Sequence, residues 1–163
     1  MKVLAIDPGY GRCGVAVLEG DGSKSTLLYS ACVETTPKGT FSERLLEVGN
    51  EVIRLVDEFH PDTIALEELF FTNNAKTALH VAEVRGMIMY ITASNSLSLV
   101  EYNPIAIKIA LTGYGRATKE QVTKMVGTIV HITKKSILDD EYDAIAVGLT
   151  ALASARYTQI QSR

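Results

Sequence analysis

The run Val3-Leu4-Ala5-Ile6 is apolar at every position, stops at Asp7, and is followed at once by Pro8-Gly9. Apolarity without alternation marks a strand covered on both faces. Pro-Gly marks a tight turn beyond it. Such a strand needs neighbours at its edges and cover above and below, and the next residues begin to supply them. Gly11 and Gly14 flank the turn, Cys13–Leu18 reads as a second strand, Asp21-Gly22-Ser23 as another turn, and Thr26–Val33 as a third strand. Three strands joined by short turns imply an antiparallel meander.

The period then changes. Thr40 with Glu43 three residues on forms a capping box, and Phe41, Leu45, Val48, Val52, Leu55 and Phe59 recur at helical spacing. Pro61 follows, then a buried-type strand Thr63–Leu66 that ends at Glu67. Beyond the polar loop Thr72-Asn73-Asn74, a helix is expected over about Ala75–Ala93 and a fifth strand over Leu97–Val100. Asn103-Pro104, a cap followed by proline at the first helical position, opens a short helix to about Leu111. Gly113-Tyr114-Gly115 interrupts it, and Thr118 with Gln121 caps a helix to about Val130. A last helix begins near Asp140 and carries Ala144, Ile145, Val147, Leu149 and Leu152. The order βββ-α-β-α-β plus helices predicts an α/β fold. Its core is a five-stranded mixed sheet, a three-strand antiparallel meander plus two parallel strands, flanked by helices. At 163 residues the chain fits one domain spanning 1–163.

No apolar stretch is long enough to suggest a membrane span, and an acid at position 7 interrupts the run a secretion signal would need. Cys13 and Cys32 sit in strand-like segments and read as small buried residues of a cytoplasmic protein rather than a disulfide. His60, His80 and His131 are far apart, which disfavours zinc. The net charge of −3 argues mildly against a nucleic-acid partner, but charge is unevenly spread. From Ile105 to Lys135, Lys108, Arg116, Lys119, Lys124, Lys134 and Lys135 stand against Glu120 alone. A local basic face is what phosphates meet, and a solvated helix face would have the same composition.

Asp7 ends a buried strand, where an unpaired carboxylate is costly unless capped, paired or metal-bound. An aspartate that merely stabilises the Pro8-Gly9 turn would look the same. Glu67 repeats the pattern at the end of another strand, and strand ends facing a crevice are where α/β proteins place their sites. Glu68 competes with it. Neighbouring strand residues face opposite ways, and Glu67 is chosen because it points away from the face that Leu66 occupies. The last helix brings Asp139, Asp140, Glu141 and Asp143. Acids there also cap a helix and suit its dipole. Spacing admits both Asp140 with Asp143 and Asp139 with Asp143 as a pair on one face. An all-oxygen set without histidine or cysteine suits Mg2+, with Mn2+ able to substitute, rather than zinc. Two such ions activate water and stabilise the leaving oxygen of a phosphodiester. Four acids repel one another without cations, so metal is expected to stabilise the fold.

These residues closely resemble the RuvC family of bacterial Holliday junction resolvases, within the ribonuclease H-like nucleases. The resemblance is carried by Ala5-Ile6-Asp7-Pro8-Gly9 with Gly14, by Ile64-Ala65-Leu66-Glu67 with Phe70, and by Ala78-Leu79 and Arg85-Gly86. It continues through Tyr102-Asn103-Pro104, Lys119 with Gln121-Val122, and Asp140-x-x-Asp143-Ala144-x-Ala146. It covers nearly the whole chain in order. It implies a Mg-dependent, structure-specific endonuclease, a homodimer that cuts four-way DNA junctions by symmetric paired nicks in recombination and repair. Cooperation with a branch-migration motor (RuvAB-like) is implied as well. By position, the metal roles fall to Asp7, Glu67, Asp140 and Asp143, since the final acids of the family pattern are three apart. Some members carry histidine where this chain has Asp140. Phe70 matches an aromatic near the junction centre, with Phe71 beside it, and Lys108 and Lys119 match basic positions near the cut. Arg116 and Lys124 are further candidates for backbone contacts.

Two alternatives belong to other classes. An actin-like or sugar-kinase-like ATP-binding domain also opens with a strand and an Asp-x-Gly turn, but usually needs two such halves. A non-catalytic junction-binding module would keep the fold, and the four intact carboxylates speak against it.

Overall fold

Alternation along the central strand decides which helix covers which face. In the computed structural model, which describes residues 1–21, 23–68, 75–134 and 136–161 (backbone only at 75, 76 and 156–161), β1 (Lys2–Asp7) is flanked by β2 (Arg12–Gly20) and β4 (Thr63–Glu67). The β1–β2 pairing is antiparallel and the β1–β4 pairing parallel. β3 (Ser25–Glu34) and β5 (Ser98–Tyr102) complete a mixed sheet in the order β3-β2-β1-β4-β5. This is the expected meander plus two parallel strands. Phe70, Phe71 and the loop Thr72-Asn73-Asn74 lie outside the described residues.

Leu4, Ile6, Val15, Val17, Ile64 and Leu66 fill one face, under α1 (Phe41–Phe59) and α2 (Ala75–Ser94). Val3, Ala5, Ala16, Leu18 and Ala65 occupy the other, under α3 (Pro104–Thr112), α4 (Lys119–Ile129) and α5 (Asp139–Gln161). The first face is built of large side chains, the second mainly of small ones. A helix therefore approaches the second face closely. Two glycines complete the fit: a Cβ at Gly148 of α5 would overlap the Leu18 side chain, and one at Gly14 of β2 would overlap the Asp140 carbonyl oxygen.

The helix ends follow their capping residues. Thr40 and Glu43 form the capping box of α1, with Glu43 Oε2 accepting from the Thr40 N–H at 2.7 Å. α1 ends at His60, left-handed with φ 47°, before Pro61. Asn103 Oδ1 accepts from the Ala106 N–H at 2.8 Å to open α3, and Gly113 at φ 73° closes it. Thr118 and Gln121 box the start of α4. Strands β1–β3 extend one or two residues beyond their apolar cores, because sheet pairing continues past burial.

Of the apolar residues along α2, Val84 is fully buried among the residues under α1, Met87 packs against Gly49 of α1, and Val81 is half-buried. The exposed stripe is Leu79, Gly86 and Tyr90. Cys13 and Cys32 are free thiols. Among the described residues no helix is long and apolar enough to cross a membrane.

Close contact at the start of α5 makes a stability prediction. Gly14→Ala, with backbone on both sides of the overlap, is expected to cost about 1–3 kcal/mol or more. Gly127→Ala, in open space on α4, is expected to stabilise by about 0.4–1 kcal/mol. Urea denaturation of both variants checks this; equal stability would mean α5 does not rest on β2 as described.

Candidate active site

Sheet parity places Asp7 and Glu67 together. Ile6 pairs with Leu66 across β1 and β4, and both side chains lie on the α1–α2 face. The next residues on each strand, Asp7 and Glu67, therefore point to the opposite face, the one α5 covers. Glu68 is exposed. Asp7 also pairs with Gly14 in the β1–β2 register. Because Gly14 seats the Asp140 carbonyl, the first turn of α5 arrives beside Asp7.

The backbone is pinned on both flanks. Arg85 of α2 donates to the Glu67 carbonyl oxygen and pairs with Glu101 of β5. Glu141, a buried residue of the first turn of α5, accepts from Ser30 Oγ at 2.5 Å and from Lys134 Nζ at 2.9 Å. Glu141 thus faces β3 and ties down the helix start, away from the other acids.

Of the remaining acids, Asp143 accepts from Lys119 Nζ at 2.9 Å and Asp140 pairs with Arg12 Nε at 3.1 Å. Asp139 is three-quarters exposed and lies 3.5 Å from the same Lys119 Nζ. Glu67, Asp143, Lys108 and Lys119 line a cavity of about 220 Å³ whose remaining wall is Pro104, Ile107, Val122 and Ala146. Arg116 is exposed in the α3–α4 connection and Lys124 lines a separate hollow with Tyr114 and Met125. Neither borders that cavity.

The charges act on one another. Burial, followed by the charges of Glu67, Asp143 and Asp140, pushes the Asp7 carboxyl up to about 8, with Lys119 opposing. Burial and Asp143 also raise Glu67, against Lys119 and Lys108. Burial works against the charge of Lys119, yet the hydrogen bond and charge of Asp143 and the charge of Asp139 leave it raised. Asp140 is among the acids whose charge raises Asp7.

Among the described residues no three His, Cys, Asp or Glu side chains converge tightly enough to enclose a metal ion as they stand. Lys119 and Arg12 hold two of the acids instead. The donor set fits a hard divalent cation: all oxygen, mutually repelling, and in need of positive charge.

The model of the family "Crossover junction endodeoxyribonuclease RuvC" matches residues 3–151. The chain belongs to the RuvC family. It is 40% identical over 157 residues to the Finegoldia magna crossover junction endodeoxyribonuclease RuvC, covering 96% of each chain. To that of Thermosipho melanesiensis it is 39% identical, covering 96% of this chain and 100% of the relative. The structure of Thermus thermophilus RuvC in complex with a Holliday junction substrate superposes with a TM-score of 0.91 at 31% identity, covering 97% of this chain and 96% of that one. The fold is therefore ribonuclease H-like, the enzyme class is that of a crossover junction endodeoxyribonuclease, and the ATP-binding alternative is set aside.

Sequence reasoning assigned Arg12 no role and showed Arg85 and Glu141 without the contacts that fix the site's flanks. Arg12 carried a usable signal, since it lies two residues from Gly14 and so on the same sheet face. Nothing in the pattern of four neighbouring acids distinguished Glu141 from Asp140, because helix rotation decides which of them faces β3.

The raised Asp7 makes the metal-free protein pH-sensitive. Its carboxyl titrates near 3.8 when unfolded and about 8 when folded. Between these values the folded state keeps a proton that the unfolded state loses, so this group's stabilising contribution, full below pH 4, is lost as pH rises to 8. The melting temperature of the chelator-treated protein is expected to fall across that window, and to fall less in Asp7→Asn. Parallel curves would exclude Asp7 as the group responsible. A divalent cation bound there would displace the proton, so its affinity is expected to rise towards pH 8.

Proposed function

We propose that this chain resolves four-way DNA junctions by phosphodiester hydrolysis, with Asp7, Glu67, Asp140 and Asp143 as ligands of two Mg2+ ions (Mn2+ substituting). The observation that carries this reading is the gathering of acids from β1, β4 and α5 on one sheet face, beside Lys108 and Lys119. Family membership supplies the substrate class. Bound divalent cations supply activation of water and stabilisation of the leaving oxygen.

The protein's own groups do the rest. Asp7, whose carboxyl is raised to about 8 by burial and then by its acidic neighbours, must release its proton before it can serve as a ligand. Lys119, poised on Asp143, and Lys108, near Glu67, neutralise charge on the phosphate that enters between them. Pro104, Ile107, Val122 and Ala146 wall the cavity with apolar surface, which strengthens those interactions by excluding water. Phe70, at the end of the segment after Glu67, stacks on an unpaired base at the junction centre.

Symmetric paired nicks require two sites related by a two-fold axis. The chain accordingly acts as a homodimer, for which Leu79, Gly86 and Tyr90 along α2 offer an outward apolar stripe. It works in the cytoplasm on recombining and damaged DNA, with a branch-migration motor delivering the junction.

Cleavage of a synthetic four-way junction and of linear duplex tests the reading. Paired nicks are expected on the junction with Mg2+ and none with Ca2+ or chelator. Asp7→Asn should lose at least about a hundredfold in rate while still binding the junction. Lys119→Ala should weaken binding and lower its salt slope by about one unit. Equal cutting of plain duplex would refute junction specificity.

A further inference from the structure

We propose that Arg12 is a further substrate-binding residue: in the free enzyme its guanidinium neutralises Asp140, and when a divalent cation takes Asp140 the same guanidinium passes to a phosphate of the junction strand. The proposal rests on the assignment of Asp140 as a metal ligand.

The chain geometry puts Arg12 in position for this. It opens β2 two residues before Gly14, so its side chain leaves the sheet on the face that α5 covers. Gly14 seats the Asp140 backbone, which brings the Asp140 side chain within reach of Arg12. The resulting ion pair brings Nε to 3.1 Å from Oδ2. A guanidinium carries five N–H donors and can present two of them in parallel to one carboxylate or phosphate, so a phosphate is a fit alternative partner for it.

Arg12 is also half exposed, at 52% of its side chain, whereas Asp140 is only 20% exposed. It lines an open groove with Gly11, Glu34, Thr35, Thr36 and Arg44. Sheet order places that groove on the β2–β3 side of Asp7, while the cavity holding Lys108 and Lys119 lies beyond β4 on the other side. A strand crossing the carboxylates thus meets Lys119 and Lys108 on one flank and Arg12 on the other. Lys119 stands in the same relation to Asp143 as Arg12 does to Asp140. Glu34, opposite Arg12 in the β2–β3 register, is the acid in the groove that competes for it. As an exposed carboxylate it holds an arginine weakly, so a phosphate held by both flanks prevails.

Two measurements on Arg12→Gln test this. Without DNA, the Mg2+ concentration giving half the maximal thermal shift should fall roughly two- to fivefold, because the cation no longer displaces an ion pair of that strength. Junction binding in Ca2+ should weaken and its salt slope drop by about one unit. Arg12→Lys, which keeps the charge, should restore the slope, separating a lost phosphate contact from an altered fold. An unchanged half-saturation or an unchanged slope in Arg12→Gln overturns the proposal. Failure of the wild type to nick junctions would overturn the functional reading instead.

Discussion

Close seating of α5 on β1 and β2 sets the geometry of the sheet face on which the acids gather. Helix-on-sheet packing normally keeps large side chains between the two layers. Here Ala5, Ala16 and Ala65 face the helix, Gly148 meets Leu18, and Gly14 meets the backbone of Asp140. Each small residue removes a spacer, and the first turn of α5 comes down beside the end of β1. Glu141 then locks the helix rotation through Ser30 and Lys134. Asp140 and Asp143 are left on the side that faces Asp7 and Glu67.

That seating has an electrostatic cost, because four carboxylates are brought together at the edge of a dry core. The fold answers with Lys119 on Asp143 and Arg12 on Asp140, and with a proton on Asp7 whose hold extends to about pH 8. All three responses are reversible. On the proposed function, a divalent cation would take the place of those half-exposed side chains and that proton, leaving the lysine and the arginine for phosphate. The same charges that offset the clustered acids would then hold substrate.

Much of this was legible in the residues. An apolar run ending in Asp7-Pro8-Gly9 specifies a central strand with an acid at its exit, and strand parity alone selects Glu67 over Glu68. Caps at Thr40, Asn103 and Thr118 place three helix starts, since a side-chain oxygen three residues before an N–H is a local matter. The α2 stripe was less clear: Val84 and Met87 are as apolar as Leu79 and Tyr90, and only the position of α1 and Gly49 determines which set is covered. The roles of Arg12 and Glu141 were not readable from neighbouring residues because Asp140 and Ser30, the groups they hold, lie more than a hundred residues away in sequence.

Neighbouring residues sufficed for the order of elements along the chain, the capped helix starts and the two acids at the strand ends, because alternation, capping and burial of a charge are local matters. Which of Asp139, Asp140, Glu141 and Asp143 join those two acids was decided by tertiary structure. Helical spacing fixes only their relative angles; the absolute rotation of α5 comes from Gly14, Gly148 and the Glu141 anchor acting together. Asp7 therefore stands at its site by virtue of its own strand, whereas Asp140 and Asp143 owe their places to packing against residues far along the chain.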